Sequence, residues 1–92
     1  MEVGSVGNKN GFDVIALPNP SPNNFTMIVK TNSGKEKIIM HVVDMYGRVI
    51  ETRNINANSN IQFGEKYNPG TYVVRIIQGK NHKEIKLVKL PY

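Results

Sequence analysis

Two aspartates (Asp13, Asp44), two histidines (His41, His82) and four serines (Ser5, Ser21, Ser33, Ser59) are the side chains from which a hydrolytic or metal centre would have to be built here. A nucleophilic serine needs a base beside it and a turn that presents it, as in G-x-S-x-G. No serine stands in that setting, and all four fall among linker or turn residues. His41 sits inside an apolar stretch and His82 in a turn, with few carboxylates to join them. The chain has no cysteine, which removes a thiolate zinc site, a thiol nucleophile and a disulfide scaffold together. Gly4-Ser5-Val6-Gly7 lacks the preceding strand and following helix of a phosphate-cradling loop. The residues point to a protein that is not an enzyme and needs no metal or cofactor.

Charge is the next candidate chemistry. The net charge is +5, and all of it lies in residues 47–92, where eight Lys and Arg face three Glu. A basic half can mark a nucleic-acid or anionic surface. The basic–aromatic interleaving of a nucleic-acid-binding sheet or groove is missing, so no nucleic acid is expected and the charge reads as a solvated strand face. Four of the nine lysines fall in Lys80–Tyr92, which predicts a basic row beside a narrow apolar pair, Ile85 and Leu87. No apolar run approaches the ~18 residues of a membrane span. Met1-Glu2-Val3-Gly4-Ser5 has neither the basic end nor the apolar stretch of a signal peptide.

The elements that must position these residues are strands. The 92 residues make one domain, long enough to bury roughly two-thirds of the extended surface. Ten Ile and ten Val stand against three Leu and two Ala, and twelve Asn, eight Gly and five Pro supply turns. β-Branched residues fit a pleated sheet, whereas Leu and Ala favour helix. Residues 1–10 have linker composition, the end of a longer chain's linker or added residues, and residues 11–92 form the domain. Strands are predicted at Phe12–Leu17, Phe25–Lys30, Lys37–Asp44 (buried on both faces), Arg48–Arg53, Asn60–Phe63, Thr71–Ile77 and Lys83–Leu90. The last of these also fits a short amphipathic helix, because Ile85 and Val88 are three apart. The class is all-β, an immunoglobulin-like β-sandwich of about seven antiparallel strands. Its expected core is Phe25, Met27, Val29, Ile38, Met40, Val42, Ile61, Phe63, Tyr72, Val74 and Ile76.

Four local patterns punctuate the strands. Pro18-Asn19-Pro20 fixes φ and removes donors, closing the linker side without inviting a stray strand to pair. Asp44-x-x-Gly47 suits the first and last positions of a four-residue turn, with Arg48 placed to pair with Asp44. Gly70-Thr71-Tyr72 resembles a tyrosine corner, whose hydroxyl bonds to upstream backbone. Lys86-Leu87-Val88-Lys89 lies near the end, in a terminal strand expected to have one unpaired edge.

In order and spacing these four patterns resemble the type A C-terminal sorting domain of the type IX (Por) secretion system of Bacteroidetes, over about residues 15–90. The resemblance implies an address label on a larger N-terminal cargo domain, in transit through the periplasm to the outer-membrane surface or the extracellular space. Its implied partners are the outer-membrane secretion machinery and a sortase-like cysteine protease that removes the label. The sorting-motif residues it implies are Pro18, Asn19, Pro20, Asp44, Gly47, Arg48, Gly70, Tyr72, Lys86 and Lys89. The competing reading is an adhesive or carbohydrate-binding module on a secreted enzyme. That would want an aromatic platform, and the candidate surface rings, Tyr46, Tyr67 and Tyr92, are scattered.

Overall fold

A computed structural model describes residues 11–32 and 36–91. The expected linker over 1–10, most of the Asn32-Ser33-Gly34 turn, and Tyr92 lie outside the described residues. The seven strands are β1 (Asp13–Leu17), β2 (Phe25–Lys30), β3 (Ile38–Val43), β4 (Val49–Ile55), β5 (Asn60–Phe63), β6 (Gly70–Gln78) and β7 (Asn81–Lys89). They form a three-stranded sheet, β1-β2-β5, and a four-stranded sheet, β4-β3-β6-β7, with every pairing antiparallel. A sheet holding the first, second and fifth strands against one holding the third, sixth and seventh is the immunoglobulin-like arrangement. Among the described residues there is no helix, and so none long and apolar enough to cross a membrane.

Alternation decides which residues meet between the sheets, because successive side chains on a strand point to opposite faces. Phe25, Met27 and Val29 of β2 face Met40 and Val42 of β3 and Val74 and Ile76 of β6, all fully buried. Burying each large apolar side chain contributes roughly 1.5–3 kcal/mol, so this layer is the main source of stability. The core also takes in Phe12, Val14 and Leu87, whereas Ile61 is only partly buried because β5 is a four-residue edge strand. β3 is buried on one face. Ile39, His41 and Val43 lie on its outer face, half covered by their cross-strand neighbours on β4 and β6.

The C-terminal segment is a strand along its whole length, pairing with β6 from Gln78↔Asn81 to Gly70↔Lys89. The long hairpin partner overrides the helical spacing of Ile85 and Val88. On β7 the residues Lys83, Ile85, Leu87 and Lys89 face the other sheet, and His82, Glu84, Lys86 and Val88 face outward. The predicted basic row is therefore split. Lys83 reaches Asp13 on β1 (3.4 Å), Lys89 is buried, and only Lys86 of the C-terminal pair meets solvent.

Nor is the outer edge of β7 left open. The Asn19 amide donates to Lys86 O (2.8 Å), and its carbonyl oxygen accepts from Val88 N (3.0 Å). Ser21 N donates to Val88 O (3.0 Å), and Leu90 N donates back to Ser21 O (2.8 Å). The proline segment thus caps the chain's own last strand over its C-terminal half, with the bonds before Pro18 and Pro20 both cis. Exposed edges template aggregation, and this cap closes about half of one.

Candidate functional site

Strand direction brings the four motifs to one pole of the sandwich. β1 ends there and β2 begins, β3 turns into β4, β5 runs into β6, and β7 finishes. All ten residues from Pro18 to Lys89 lie at or beside that pole, although the chain separates them by up to 71 positions. The β6–β7 turn and the Gly11–Asn32 contact mark the opposite pole. The nine residues of β6 set the two poles roughly 27 Å apart, at ~3.4 Å per residue.

The β3–β4 turn is tied down by one carboxylate. Gly47 N donates to Asp44 O (3.0 Å), and Asp44 N donates to Arg48 O (2.9 Å). Asp44 Oδ1 accepts from the backbone N–H of Tyr46 (2.9 Å) and of Arg48 (3.0 Å), while Oδ2 accepts from Arg48 Nε (2.9 Å). Gly47 has φ +83°, which a side chain at that position would strain. The Arg48 guanidinium also lies over the Tyr46 ring, 5.4 Å from its centroid. The Arg48 backbone N–H, more than any other group, holds the Asp44 carboxyl below its usual range, helped by the Tyr46 N–H and the guanidinium against a partial desolvation.

A folded-state pKa below the unfolded one stabilises the turn above the unfolded pKa, and this contribution is lost as pH falls through the folded pKa. On acidification, the Tyr46 and Arg48 amide resonances should therefore shift together, with a midpoint below that of a free aspartate. Asp44→Asn should abolish that titration. Amide shifts following a midpoint at or above the free value would contradict this account.

With the Asp44 carboxylate turned onto the turn's own donors, the two residues between Asp44 and Gly47 point outward. Met45 is 67% exposed and Tyr46 78%, and Val49 and Ile50 are exposed beside them. The sequence reading names Tyr46 as a surface ring but not Met45, Val49 or Ile50. The available signal was two large apolar residues at the central positions of a turn, where polar residues or glycine are usual.

Behind the turn, Tyr72 is buried and its hydroxyl donates to Asn68 O (2.5 Å), which is the tyrosine-corner bond. Burial, and secondarily the charge of Asp44, raise its pKa. Tyr67 is half-buried rather than a surface ring. It stacks on Tyr72 (centroids 4.9 Å), approaches Phe63 edge-on (6.3 Å), and its hydroxyl donates to Glu51, which also accepts from Arg53 Nε. Burial first, and the Glu51 carboxylate second, push the Tyr67 hydroxyl far above its usual range. Only Tyr46 of the three proposed surface rings is exposed at this pole, and Tyr92 lies outside the described residues.

Lys89, read from the sequence as exposed, is 5% exposed, and its ammonium donates to the carbonyls of Gly64 and Glu65 (3.1 Å to the latter). It clamps the β5–β6 connection to the end of β7. Between that connection and the β3–β4 turn lies a groove of about 440 Å³, bordered by Met45, Tyr46, Arg48, Ile50 and Lys66 and backed by Tyr67 and Tyr72. Among the described residues, no three His, Asp or Glu side chains gather as metal ligands.

The architecture is an immunoglobulin-like β-sandwich, with the four sequence patterns gathered at one pole. Comparison with family models matches residues 16–90 to the secretion system C-terminal sorting domain, and the chain belongs to that family. It is a C-terminal sorting signal for type IX secretion, attached to a cargo protein and bound for the cell surface or the extracellular space through the envelope. Sorting domains of this kind are typically non-catalytic. Comparison with curated proteins finds no match.

Proposed function

We propose that the motif-bearing pole is the surface read by the outer-membrane secretion machinery, in a label of the type A Bacteroidetes pattern. In this reading residues 11–92 are the sorting domain and residues 1–10 the linker to the cargo. The observation that carries it is the convergence of motifs from four separate stretches of the chain, two connections and the ends of two strands, on one end of the sandwich. The chain enters at the opposite end, through Gly11 and Asp13, so a cargo joined there leaves the motif pole clear. Asp44, Gly47, Gly70, Tyr72, Asn19 and Lys89 build the pole, whereas Lys86 and the Met45–Tyr46 tip are exposed and able to touch a partner.

The test is a fluorescent cargo fused ahead of residues 1–92 in a type IX-competent cell. Met45→Ser with Tyr46→Ser removes exposed apolar groups, each change within about 0.5 kcal/mol of neutral for stability. The double variant should leave cargo in the periplasm, while Lys80→Ser at the opposite pole is exported normally. Export of the folded double variant at the normal rate would overturn the assignment.

After export, a sortase-like cysteine protease removes the label by cutting within or just before the linker 3–10, upstream of Phe12. The linker's composition is small and polar, like that of the segments that proteases favour. Mass spectrometry of the released fragment should place its first residue upstream of Phe12. A first residue beyond Pro20 would refute this, because such a cut destroys the cap on β7.

A further inference from the structure

Among the described residues, six large apolar side chains are exposed, and four of them, Met45, Tyr46, Val49 and Ile50, belong to the single β3–β4 hairpin. Concentrated apolar exposure on a small protein marks an interaction site. This tip is also rigid, because three donors hold Asp44 and the backbone closes across Asp44 and Arg48. A preorganised tip loses little entropy when a partner binds.

The charges beside the tip are unbalanced. The only carboxylate bordering the groove is Asp44, and both its oxygens are taken by the turn. Arg48 commits Nε to Asp44, but its side chain stays 72% exposed, with the terminal nitrogens of the guanidinium beyond that contact. Lys66 stands exposed on the facing connection. Two cations therefore border, with one neutralised anion, a groove whose lining is mixed, apolar at Met45 and Ile50 and polar at Asn68 and Thr71.

We propose that the occupant of this groove is an extended protein segment carrying one carboxylate between apolar side chains. The carboxylate lies between Arg48 and Lys66, and its apolar neighbours cover Met45, Tyr46 and Ile50. This rests on the reading of the pole as the recognition surface and names what that surface takes. A groove of about 440 Å³ admits a few side chains of an extended segment, not a folded domain. A uronic glycan would satisfy the two cations but would set hydroxyls against Met45 and Ile50. It would also find only one exposed ring, since Tyr67 is turned inward.

The experiment is an amide-shift NMR titration of the 92-residue chain with three probes. They are a blocked pentapeptide holding one glutamate between leucine and phenylalanine residues, the same peptide with glutamine, and tetragalacturonate. The glutamate peptide should shift residues 44–50 and 66–72, and the glutamine peptide should bind about fivefold more weakly. Lys66→Glu, an exposed change outside the turn, should erase that preference. Equal affinity for the two peptides, shifts elsewhere on the sandwich, or binding of tetragalacturonate in place of the peptide would each overturn the proposal. The export assay separates its failure from that of the underlying reading. If the carboxylate preference is absent while Met45→Ser with Tyr46→Ser still blocks export, the pole remains the recognition surface and only its partner chemistry is wrong. If export survives the double substitution, the pole is not the recognition surface and the inference falls with it.

Discussion

Reversing the charge at Lys89 should unfold the domain, while the same reversal at Lys86, three residues earlier, should leave it standing. The Lys89 ammonium lies between the inner sheet faces and the β5–β6 connection, where it donates to two backbone carbonyls. A glutamate there would place carboxylate oxygens against those same carbonyls in a site nearly closed to water. A buried charge left without its partners costs about 3–5 kcal/mol. A domain this small sits near the low end of the usual range of about 5–15 kcal/mol, so Lys89→Glu removes a large share of the margin. Lys86 points to solvent opposite Val73, and reversing it should change stability by no more than about 0.5 kcal/mol. Urea unfolding followed by circular dichroism would show Lys86→Glu near the parent midpoint and Lys89→Glu unfolded or close to it. Lys89→Met gives the intermediate case, keeping the apolar stem but stranding two acceptors, at about 1–3 kcal/mol. Coincident midpoints for the two glutamate variants would show that the clamp does not contribute. An export defect of Lys89→Glu is accordingly a folding defect, and Lys86→Glu is the variant that reports on recognition.

That contrast was present in the sequence. Residues three apart on a strand lie on opposite faces, so Lys86 and Lys89 cannot form one row once the segment is a strand. The reading left helix and strand both open at 83–90, and the ambiguity hid the split. Elsewhere period-two alternation was strong enough to place the strands and nearly all of the core, because Phe25-x-Met27-x-Val29 and Tyr72-x-Val74-x-Ile76 admit only one inward face. The Asp44–Arg48 pair and the Tyr72 corner were also legible, since both are local and follow from turn chemistry. Contacts between distant segments were not. Asn19 meets the backbone of Lys86 and Val88 from 67 and 69 positions away, and nothing local to Pro18-Asn19-Pro20 names β7 as its partner. Tyr67 was misplaced for the same reason, because its inward turn depends on Glu51 and on the rings of Phe63 and Tyr72. Tyr46 was legible as a surface ring, but Met45 beside it was not, because a motif draws attention to its fixed letters. Here Asp44 and Gly47 hold the turn, and the intervening Met45 and Tyr46 face the solvent.

Gly64→Ala is the second large effect expected, and Gly47→Ala is its matched control. The two glycines have nearly the same backbone conformation, φ +85° and φ +83°, which costs an alanine about 1–2 kcal/mol in either place. Their surroundings differ. A Cβ at Gly47 meets nothing within 4 Å, whereas one at Gly64 lies 2.9 Å from Phe25 Cδ2 and 3.3 Å from Tyr67 Cδ2. Phe25 is fully buried and packed on Phe63 (centroids 5.8 Å), so its ring has no free space into which to swing. Overpacking of this kind adds about 1–3 kcal/mol. The Gly64 carbonyl also accepts from Lys89 and from Tyr67 N, so moving the backbone to relieve the clash would weaken the clamp. Gly64→Ala should therefore lower stability by about 2–5 kcal/mol and Gly47→Ala by about 1–2 kcal/mol, the difference being the packing contribution. Equal denaturation midpoints would mean that Phe25 yields without cost and that the junction at this pole is loose. The milder variant has a further use. Gly47→Ala should stay folded while re-aiming Met45 and Tyr46, so its export separates the presentation of the tip from the integrity of the sandwich beneath it.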